Sequence, residues 1–300
     1  MREVRIPAFA KINLRLEILG KRSDGFHELR TVFQSVSLRD ELCLRASKRR
    51  EISLSIAGNP PLSREPFEKN LVFRAVEALR RELKIRSGVE LELRKTIPAG
   101  RGLGGGSSDA AAALLGYLRL TGRELPRPLL LEIASSLGAD VPFFLLGGRA
   151  LGVGRGDEIY PLPDISKLYV LVVSPRDIHV PTLDAYRWLK ASSLSLTKGA
   201  SNHTLWKFCA LCWSAQASGL SNDFERPVFR RHPRLAQIKR VLLQRGAAEA
   251  SLAGSGSAVF GVFPSPAMAR RAAVGFPDDQ TFVCETLSHD RYVRKIQGTR

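Results

Sequence analysis

The pattern of apolar positions along the chain predicts a mixture of strands and helices. Apolar residues alternate from Val4 to Ala8 and again from Ile12 to Ile18, which is the period of half-buried strands, and a charged loop containing Asp24-Gly25 follows. Similar patterns predict further strands in ELCLRA (41–46), EISLSI (51–56), VELELRK (89–95), LYVLVVSP (168–175) and twice within EASLAGSGSAVFGVF (249–263).

Helical periodicity dominates other stretches of the chain. The clearest runs from Asn70, a predicted N-cap, to about Arg86. Further helices are predicted over 182–191, about 203–217, 233–245 and from about Ser265 onward. Strands and helices mix without regular alternation, so the sequence favours an α+β fold. The segment YPLPD (160–164) marks a candidate boundary between two domains, which suits a chain of 300 residues.

The composition is that of an ordinary globular protein, with 44% hydrophobic and 25% charged residues. These values argue against disordered, collagenous and membrane proteins, and the longest apolar runs are strand-sized. We therefore expect a cytoplasmic protein. Cys209 and Cys212 form a CxxC, but no second CxxC completes a zinc site. Their helical surroundings favour two buried thiols.

The formal net charge of +17 suggests a nucleic-acid partner at first sight. The excess is spread evenly, because residues 1–150 carry 26 basic and 17 acidic residues while residues 151–300 carry 20 and 12. A nucleic-acid arm or a polybasic membrane tail would concentrate its charge. A diffuse field that attracts anions is the favoured interpretation, and a basic patch assembled only by folding is the alternative.

The most informative segment is PAGRGLGGGSSDAAAAL (98–114), in which glycines lead directly into an alanine-rich helix. Glycine allows close approach of the backbone, and the free N–H groups of a first helical turn attract anions. The segment lacks the lysine of a Walker A loop and the pattern of a dinucleotide fingerprint. Ser107 and Ser108 are expected to cap the turn, donate to a phosphate or contact a magnesium ion.

This loop resembles the ATP-binding motif of the GHMP kinases, the family of galactokinase, homoserine kinase, mevalonate kinase and phosphomevalonate kinase. Other segments are also similar to family motifs, namely AKINLRLEILGKRSDGFHEL (10–29), LGADVPFFL (137–145), SNDFERPV (221–228) and SLAGSGSAVFGVF (251–263). The version GGGSSDAAA and the SDGFHEL loop resemble one branch, which phosphorylates a cytidine-diphospho sugar alcohol in isoprenoid precursor synthesis.

The resemblance implies a two-domain GHMP kinase fold. Residues 1–160 would form an ATP-binding domain of the ribosomal protein S5 domain 2-like type, and residues 161–300 a ferredoxin-like α+β substrate domain. It also implies ATP and Mg²⁺ as cofactors, with ATP bound by the whole loop, Pro98, Ala99, Gly100, Arg101, Gly102, Leu103, Gly104, Gly105, Gly106, Ser107 and Ser108. Arg101 departs from the small residues expected there, and it would face solvent or reach a phosphate.

Two residues are implied as catalytic. Asp140 would be the base that aligns the attacking hydroxyl and takes its proton, although a turn aspartate before proline is the ordinary interpretation of Asp-Val-Pro. Lys11 would lie beside Asp140 and offset charge on the reacting oxygens, although a lysine in such a strand is usually at a solvated edge. Asn13 shares the strand face of Lys11 and could hold the substrate.

The remaining implied substrate residues lie in two segments. Phe26 and His27 belong to a loop that binds cytosine in this branch, and Phe26 replaces a common tyrosine, so stacking survives while a phenol hydrogen bond is lost. Thr182 and Tyr186 match a segment that supplies a substrate contact and the opposite face of the base. By themselves they would be a helix N-cap and a core aromatic residue. Gly254, Ser255 and Gly256 would approach the diphosphate or close the ATP site.

The expected partners are therefore ATP and a small cytidine-diphospho alcohol, with neither nucleic acid nor membrane, in a monomer or homodimer. Another GHMP kinase, of the homoserine or mevalonate type, is the first alternative. A basic RNA-binding protein is the second, favoured by the net charge of +17 and disfavoured by its even distribution.

Overall fold

A computed structural model describes residues 2–59, 63–64, 66–189 and 219–298 of the chain. Its strands are β1 (Glu3–Lys21), β2 (His27–Ser47), β3 (Ile52–Ala57), β4 (Gly88–Arg94), β5 (Arg149–Gly154), β6 (Glu158–Pro161), β7 (Tyr169–Ser174), β8 (Ser221–Asn222), β9 (Glu249–Leu252), β10 (Val259–Phe263) and β11 (Gln280–Glu285). Its α-helices are α1 (Leu71–Glu82), α2 (Gly105–Thr121), α3 (Arg127–Leu137), α4 (Val141–Leu146), α5 (Thr182–Trp188), α6 (Glu225–Arg231), α7 (Pro233–Gln244), α8 (Pro266–Ala273) and α9 (His289–Gln297).

The strands form two sheets. The first has the order β3-β4-β2-β1-β8, and β5 pairs with the remaining part of β2 and with β6. The second has the order β11-β7-β10-β9 with antiparallel neighbours. This order, with helices between β7 and β9 and between β10 and β11, is that of a ferredoxin-like unit. The α+β fold predicted from the sequence is therefore confirmed.

Three apolar clusters hold these layers together. One packs the first sheet against α1, α2, α4 and α9, and a second packs the second sheet against α5 to α8. The third lies between the sheets, where Ile12 and Val36 of the first sheet join Val172 and Phe260 of the second. Leu103 of the glycine loop belongs to this third cluster. The loop is thus held at the junction of the two sheets.

A register shift in β1 decides which side chains reach this junction. Ile6 and Ala8 lie in the helix-side cluster, whereas Ala10 and Ile12 lie between the sheets. The pairing with β2 shifts between Phe9 and Lys11, and strict alternation cannot carry the apolar positions across such a shift. The sequence predicted two short strands here, and the structure has one long strand with irregular pairing.

Most predicted elements agree with the structure within a few residues. The helix predicted from Asn70 to Arg86 ends at Glu82, because Lys84 takes a left-handed conformation with φ 53°. The side chain of Asn70 caps it as predicted, accepting from the backbone N–H of Val72. The predicted helix over 203–217 and the Cys209–Cys212 pair lie outside the described residues. Across the described ranges, no helix is both long enough and apolar enough to cross a membrane.

Candidate active site

Lys11 and Asp140 face each other at the junction of the sheets. The Nζ atom of Lys11 lies 3.4 Å from Oδ2 of Asp140, and the lysine side chain is 5% exposed while the aspartate is 32% exposed. Asp140 occupies the N-cap position of α4, yet its side chain accepts no capping hydrogen bond. The carboxylate is therefore free to face the lysine and any ligand beside it.

A buried chain of hydrogen bonds fixes the ammonium group. Lys11 Nζ donates to Oδ1 of Asn13 at 2.8 Å, and Nδ2 of Asn13 donates to Oγ1 of Thr31 at 2.7 Å. Thr31 donates in turn to the carbonyl of Arg15 at 2.6 Å. Lys11 and Asn13 thus share one strand face, as their spacing predicted, and the structure assigns Lys11 to a buried position instead of a solvated edge.

The glycine loop has the backbone geometry of an anion-binding turn. Gly100, Gly102 and Gly104 all have positive φ, between 67° and 80°. Gly104 is the N-cap of α2, and no side chain caps this helix. The prediction that Ser107 or Ser108 caps it is therefore wrong, because both serines lie in the first turn. The Oγ atom of Ser108 is buried without a hydrogen-bond partner among the described residues.

The loop packs tightly against the third glycine-rich segment. A Cβ atom on Gly102 would lie 1.9 Å from the carbonyl oxygen of Ala253, so this contact requires glycine. The backbone N–H of Ala258 donates to the carbonyl of Arg101 at 3.2 Å. The Nη1 atom of Arg101 donates to Oγ of Ser257 at 2.7 Å. The side chain of Arg101 therefore links the two glycine-rich segments.

A buried charged cluster that no sequence motif predicted lies behind the loop. Lys95 Nζ donates to Oδ2 of Asp109 at 2.7 Å and also to Oδ2 of Asp40. Oδ1 of Asp40 accepts from the backbone N–H groups of Thr96 and Ile97. Three buried charged side chains thus tie the chain before the loop to the start of α2. The one sequence signal for this cluster is Asp109, an aspartate directly before the alanines of GGGSSDAAA.

Of the two carboxylates in this cluster, Asp109 accepts fewer hydrogen bonds than Asp40. It accepts from Lys95 through one oxygen, while its Oδ1 has no hydrogen-bond partner among the described residues. Burial, together with the negative charge of Asp40, raises the pKa of Asp109 to about 7 despite the nearby ammonium of Lys95.

The predicted substrate residues come together around α5. Oγ1 of Thr182 lies 3.2 Å from Oγ of Ser255 in the third glycine-rich segment. Thr182 is not the N-cap of α5, because that position belongs to Pro181. The ring of Tyr186 stacks on His27 with centroids 4.5 Å apart and packs edge-on against Phe224. Burial and the charge of Asp140 raise the pKa of Tyr186 to about 12.

Phe26 lies apart from this stack. Its ring is 54% exposed, and the guanidinium carbon of Arg155 lies 5.0 Å from the ring centroid. His27, which is adjacent in the chain, occupies the face of Tyr186 on which a base was expected. Burial and the charge of Lys21 lower the pKa of His27. In this structure, therefore, Phe26 and Tyr186 do not face each other across an open gap.

The family models and the related proteins that match this chain all belong to the same family of kinases. Residues 70–148 match the model of the GHMP kinase N-terminal domain, and residues 206–278 match that of the GHMP kinase C-terminal domain. The chain is 44% identical to 4-diphosphocytidyl-2-C-methyl-D-erythritol kinase of Solibacter usitatus (strain Ellin6076), over 97% of this chain and 91% of the relative. The enzyme of the same description from Gloeobacter violaceus is 38% identical, over 95% of each chain.

Solved structures extend the similarity to three dimensions. The crystal structure of a 4-(cytidine 5'-diphospho)-2C-methyl-D-erythritol kinase superimposes with a TM-score of 0.77 at 32% identity, covering 94% of this chain and 99% of that one. A homoserine kinase from Cytophaga hutchinsonii shares the fold, with a TM-score of 0.67 at 23% identity over 96% of this chain and 95% of that one.

Proposed function

The chain belongs to the family of 4-diphosphocytidyl-2-C-methyl-D-erythritol kinases within the GHMP kinases, and we propose that its Lys11–Asp140 cleft carries out their reaction. In that reaction the γ-phosphoryl group of ATP is transferred to the C2 hydroxyl of 4-diphosphocytidyl-2-C-methyl-D-erythritol, a step of the methylerythritol phosphate route to isoprenoid precursors. The observation that carries the proposal is the 3.4 Å pair of Lys11 and Asp140 beside an uncapped glycine loop.

Asp140 acts as the general base. The substrate oxygen forms a bond to the γ-phosphorus as the bond to the bridging oxygen of ADP breaks, and the carboxylate of Asp140 takes the hydroxyl proton. Lys11 holds this carboxylate in place and offsets negative charge on the transferred group. Asn13 keeps the ammonium aimed at the cleft through its 2.8 Å hydrogen bond.

ATP binds at the glycine loop, from Pro98 to Ser108. Positive φ at Gly100, Gly102 and Gly104 and the free first turn of α2 support this assignment, because they present backbone N–H groups without an obstructing side chain. Lys95, Asp40 and Asp109 fix the loop in place through their buried contacts and do not touch ATP themselves. Phe26, His27, Thr182 and Tyr186 would contact the cytidine end. His27 has to leave the face of Tyr186 if a base is to stack between Phe26 and Tyr186.

Mg²⁺ accompanies ATP in this proposal. The described residues contain no group of three or more His, Cys, Asp or Glu side chains that could hold an ion unaided, so phosphate oxygens would supply most of its ligands. The unpartnered Oγ of Ser108, and Ser107 beside it, fit such an ion. When bound, Mg²⁺ neutralises charge on the phosphates.

The test is substrate-dependent ATP consumption with 4-diphosphocytidyl-2-C-methyl-D-erythritol, compared with homoserine, mevalonate and galactose. We expect turnover with the cytidine compound and none above background with the other three. Phosphorylation of one of those three in place of the cytidine compound would reject this substrate assignment while leaving the kinase fold in place.

A further inference from the structure

The turn that carries Phe26 presents an aromatic ring to solvent. The backbone N–H of Arg22 donates to the carbonyl of Phe26 at 2.8 Å, and Gly25 within the turn has φ 86°. Nη1 of Arg22 donates to Oε2 of Glu28 at 2.6 Å, which ties the turn to the start of β2. A phenylalanine 54% exposed on a turn closed in this way contributes little to the core.

One face of this ring is covered by Arg155, at the tip of the β5–β6 hairpin. Its guanidinium carbon lies 5.0 Å from the ring centroid. Gly154 and Gly156 flank it with φ of 68° and 93°, so the hairpin turns tightly there. Nε and Nη2 of Arg155 both donate to Oδ2 of Asp157, which fixes the plane of the guanidinium.

The two turns together place Arg155 over the Phe26 ring and leave the Phe26 side chain 54% exposed. A guanidinium on one face of an aromatic ring is attracted by the ring quadrupole and leaves the other face available to a planar group. The ring of His27 follows Phe26 in the chain and already belongs to the substrate region. Phe26 is therefore one residue along the chain from His27, whose ring stacks on Tyr186 at the place proposed for the cytidine end of the substrate.

We propose that Arg155 is a positioning residue for the nucleobase: it holds the Phe26 ring face-on so that cytosine stacks on the opposite face. This inference rests on the proposed function, because it gives Arg155 a role in binding the cytidine end of that substrate. The phenylalanine at this position has no hydroxyl to anchor it, and the Arg155–Asp157 pair supplies the anchor from outside the turn.

The test is a double-mutant cycle on Arg155→Gln and Phe26→Leu, read by binding of cytidine 5'-diphosphate and by KM and kcat for both substrates. We expect Arg155→Gln to weaken cytidine diphosphate binding and raise KM for the cytidine substrate about three- to tenfold, the range of a partly exposed cation–π contact. KM for ATP and kcat should stay within twofold. Arg155→Lys should keep part of the effect.

In the Phe26→Leu background, Arg155→Gln should cause no further loss, because the arginine acts through the ring. An equal loss in both backgrounds would overturn the proposal in favour of direct contact with the diphosphate. Unchanged cytidine diphosphate binding by a folded Arg155→Gln protein would also overturn it. Either result leaves the proposed function intact if the wild type phosphorylates the cytidine substrate.

The matched control is Arg39→Gln. Arg39 on β2 pairs with Glu41 two positions away, as Arg155 pairs with Asp157, but it lies on a different part of the first sheet. We expect this variant to match the wild type in all four measurements. A loss as large as that of Arg155→Gln would assign the effect to general electrostatics and reject the specific role.

Discussion

At the scale of single residues, the site depends on charges that ordinary sequence rules would place at the surface. Lys11 is 4% exposed, and burying an unpaired ammonium costs several kcal/mol, so its contacts with Asn13 and Asp140 are a condition of its position. Burial of this kind is typical of functional sites. The ammonium is available to the cleft because the fold has already compensated for its desolvation.

Asp109 gives a prediction at this scale. The pKa of its carboxyl group is near 4 in an unfolded chain. In the folded protein this pKa is raised to about 7. Between these values the folded protein binds a proton that the unfolded chain has released, so this residue's contribution to the free energy of unfolding falls as pH rises from about 4 to 7 and is constant above. Asp109→Asn removes that contribution, so the variant should gain stability relative to the wild type over this window.

Urea unfolding without nucleotide, at pH 5, 6, 7 and 8, checks this expectation. The difference in unfolding free energy between Asp109→Asn and wild type should rise in favour of the variant by up to about 1.4 kcal/mol per pH unit and level off above pH 7. Asp290→Asn is the control, since Asp290 is an exposed aspartate in the first turn of another helix. A constant difference for Asp109→Asn would contradict the assigned pKa.

At the scale of residues, a sequence pattern can identify a loop motif but not side chains that only the fold brings together. The glycine loop was visible as a pattern. The Lys95 cluster was not, because Asp40, Lys95 and Asp109 are far apart in the chain and each has an ordinary explanation at the end of a strand or in a helix. Long-range pairing of β2 with β4 brings the first two together, and sequence periodicity contains no information on that pairing.

At the scale of elements, the shift in β1 and the glycine loop determine the site. The alternation predicted two short strands, one with Ile6 and one with Ile12. Both residues lie in the single strand β1, and the register shift after Phe9 places them in different clusters. A bulge of this kind re-aims the side chains that follow it, here Lys11 and Asn13. Its position follows from the partner strand, which local sequence does not specify.

Gly104→Ala tests the loop as an element. Gly104 has φ 71°, and an added Cβ would lie 2.8 Å from the Phe144 ring and 3.0 Å from Cγ of Lys11. Left-handed backbone costs an alanine roughly 1–2 kcal/mol, and the contacts add to it, so we expect a loss of at least about 2 kcal/mol in unfolding free energy.

Gly106→Ala is the matched control for this substitution. It lies in the same loop, but an added Cβ would be no nearer than 3.8 Å to another residue, and alanine favours a first helical turn. Its unfolding free energy should equal or exceed that of the wild type. Equal destabilisation of both variants would show that the backbone of Gly104 is not the constraint.

At the scale of the whole molecule, the helix α9 returns to the first sheet and supports α4, the helix that follows Asp140. The hydroxyl of Tyr292 in α9 donates to the carbonyl of Phe144 in α4 at 2.6 Å, and its ring packs on Phe9. The strand β8 from the second half of the chain also pairs with β1, so both halves of the chain contribute to one sheet. The domain boundary at residue 160 stays a prediction.

Tyr292 offers a whole-molecule prediction. It is 2% exposed, so Tyr292→Ala should lower the unfolding free energy by about 3–5 kcal/mol through the cavity it leaves. Tyr292→Phe should cost only about 1 kcal/mol, the value of one hydrogen bond. Chemical denaturation of both variants measures this. A small loss for Tyr292→Ala would mean that α9 is not part of the folding unit of the first sheet.

The net charge of +17 can be compared at this scale with the arrangement of charged side chains on the surface. On the open side of the first sheet, basic and acidic side chains alternate in pairs, such as Arg45 with Glu3 and Glu92. A groove of about 520 Å³ there is lined by both signs of charge. This part of the surface therefore contains ion pairs, and basic side chains outnumber acidic ones in the lining of the groove.

In the proposed mechanism, Asp140 takes the proton of the attacking hydroxyl. The most direct test of this step is Asp140→Asn, which keeps the shape of the side chain and removes the base. The measurement is kcat together with the Kd for MgATP. We predict a fall in kcat of about 10²- to 10⁴-fold with MgATP affinity within a few-fold of wild type. A folded Asp140→Asn enzyme with near wild-type kcat would contradict the account.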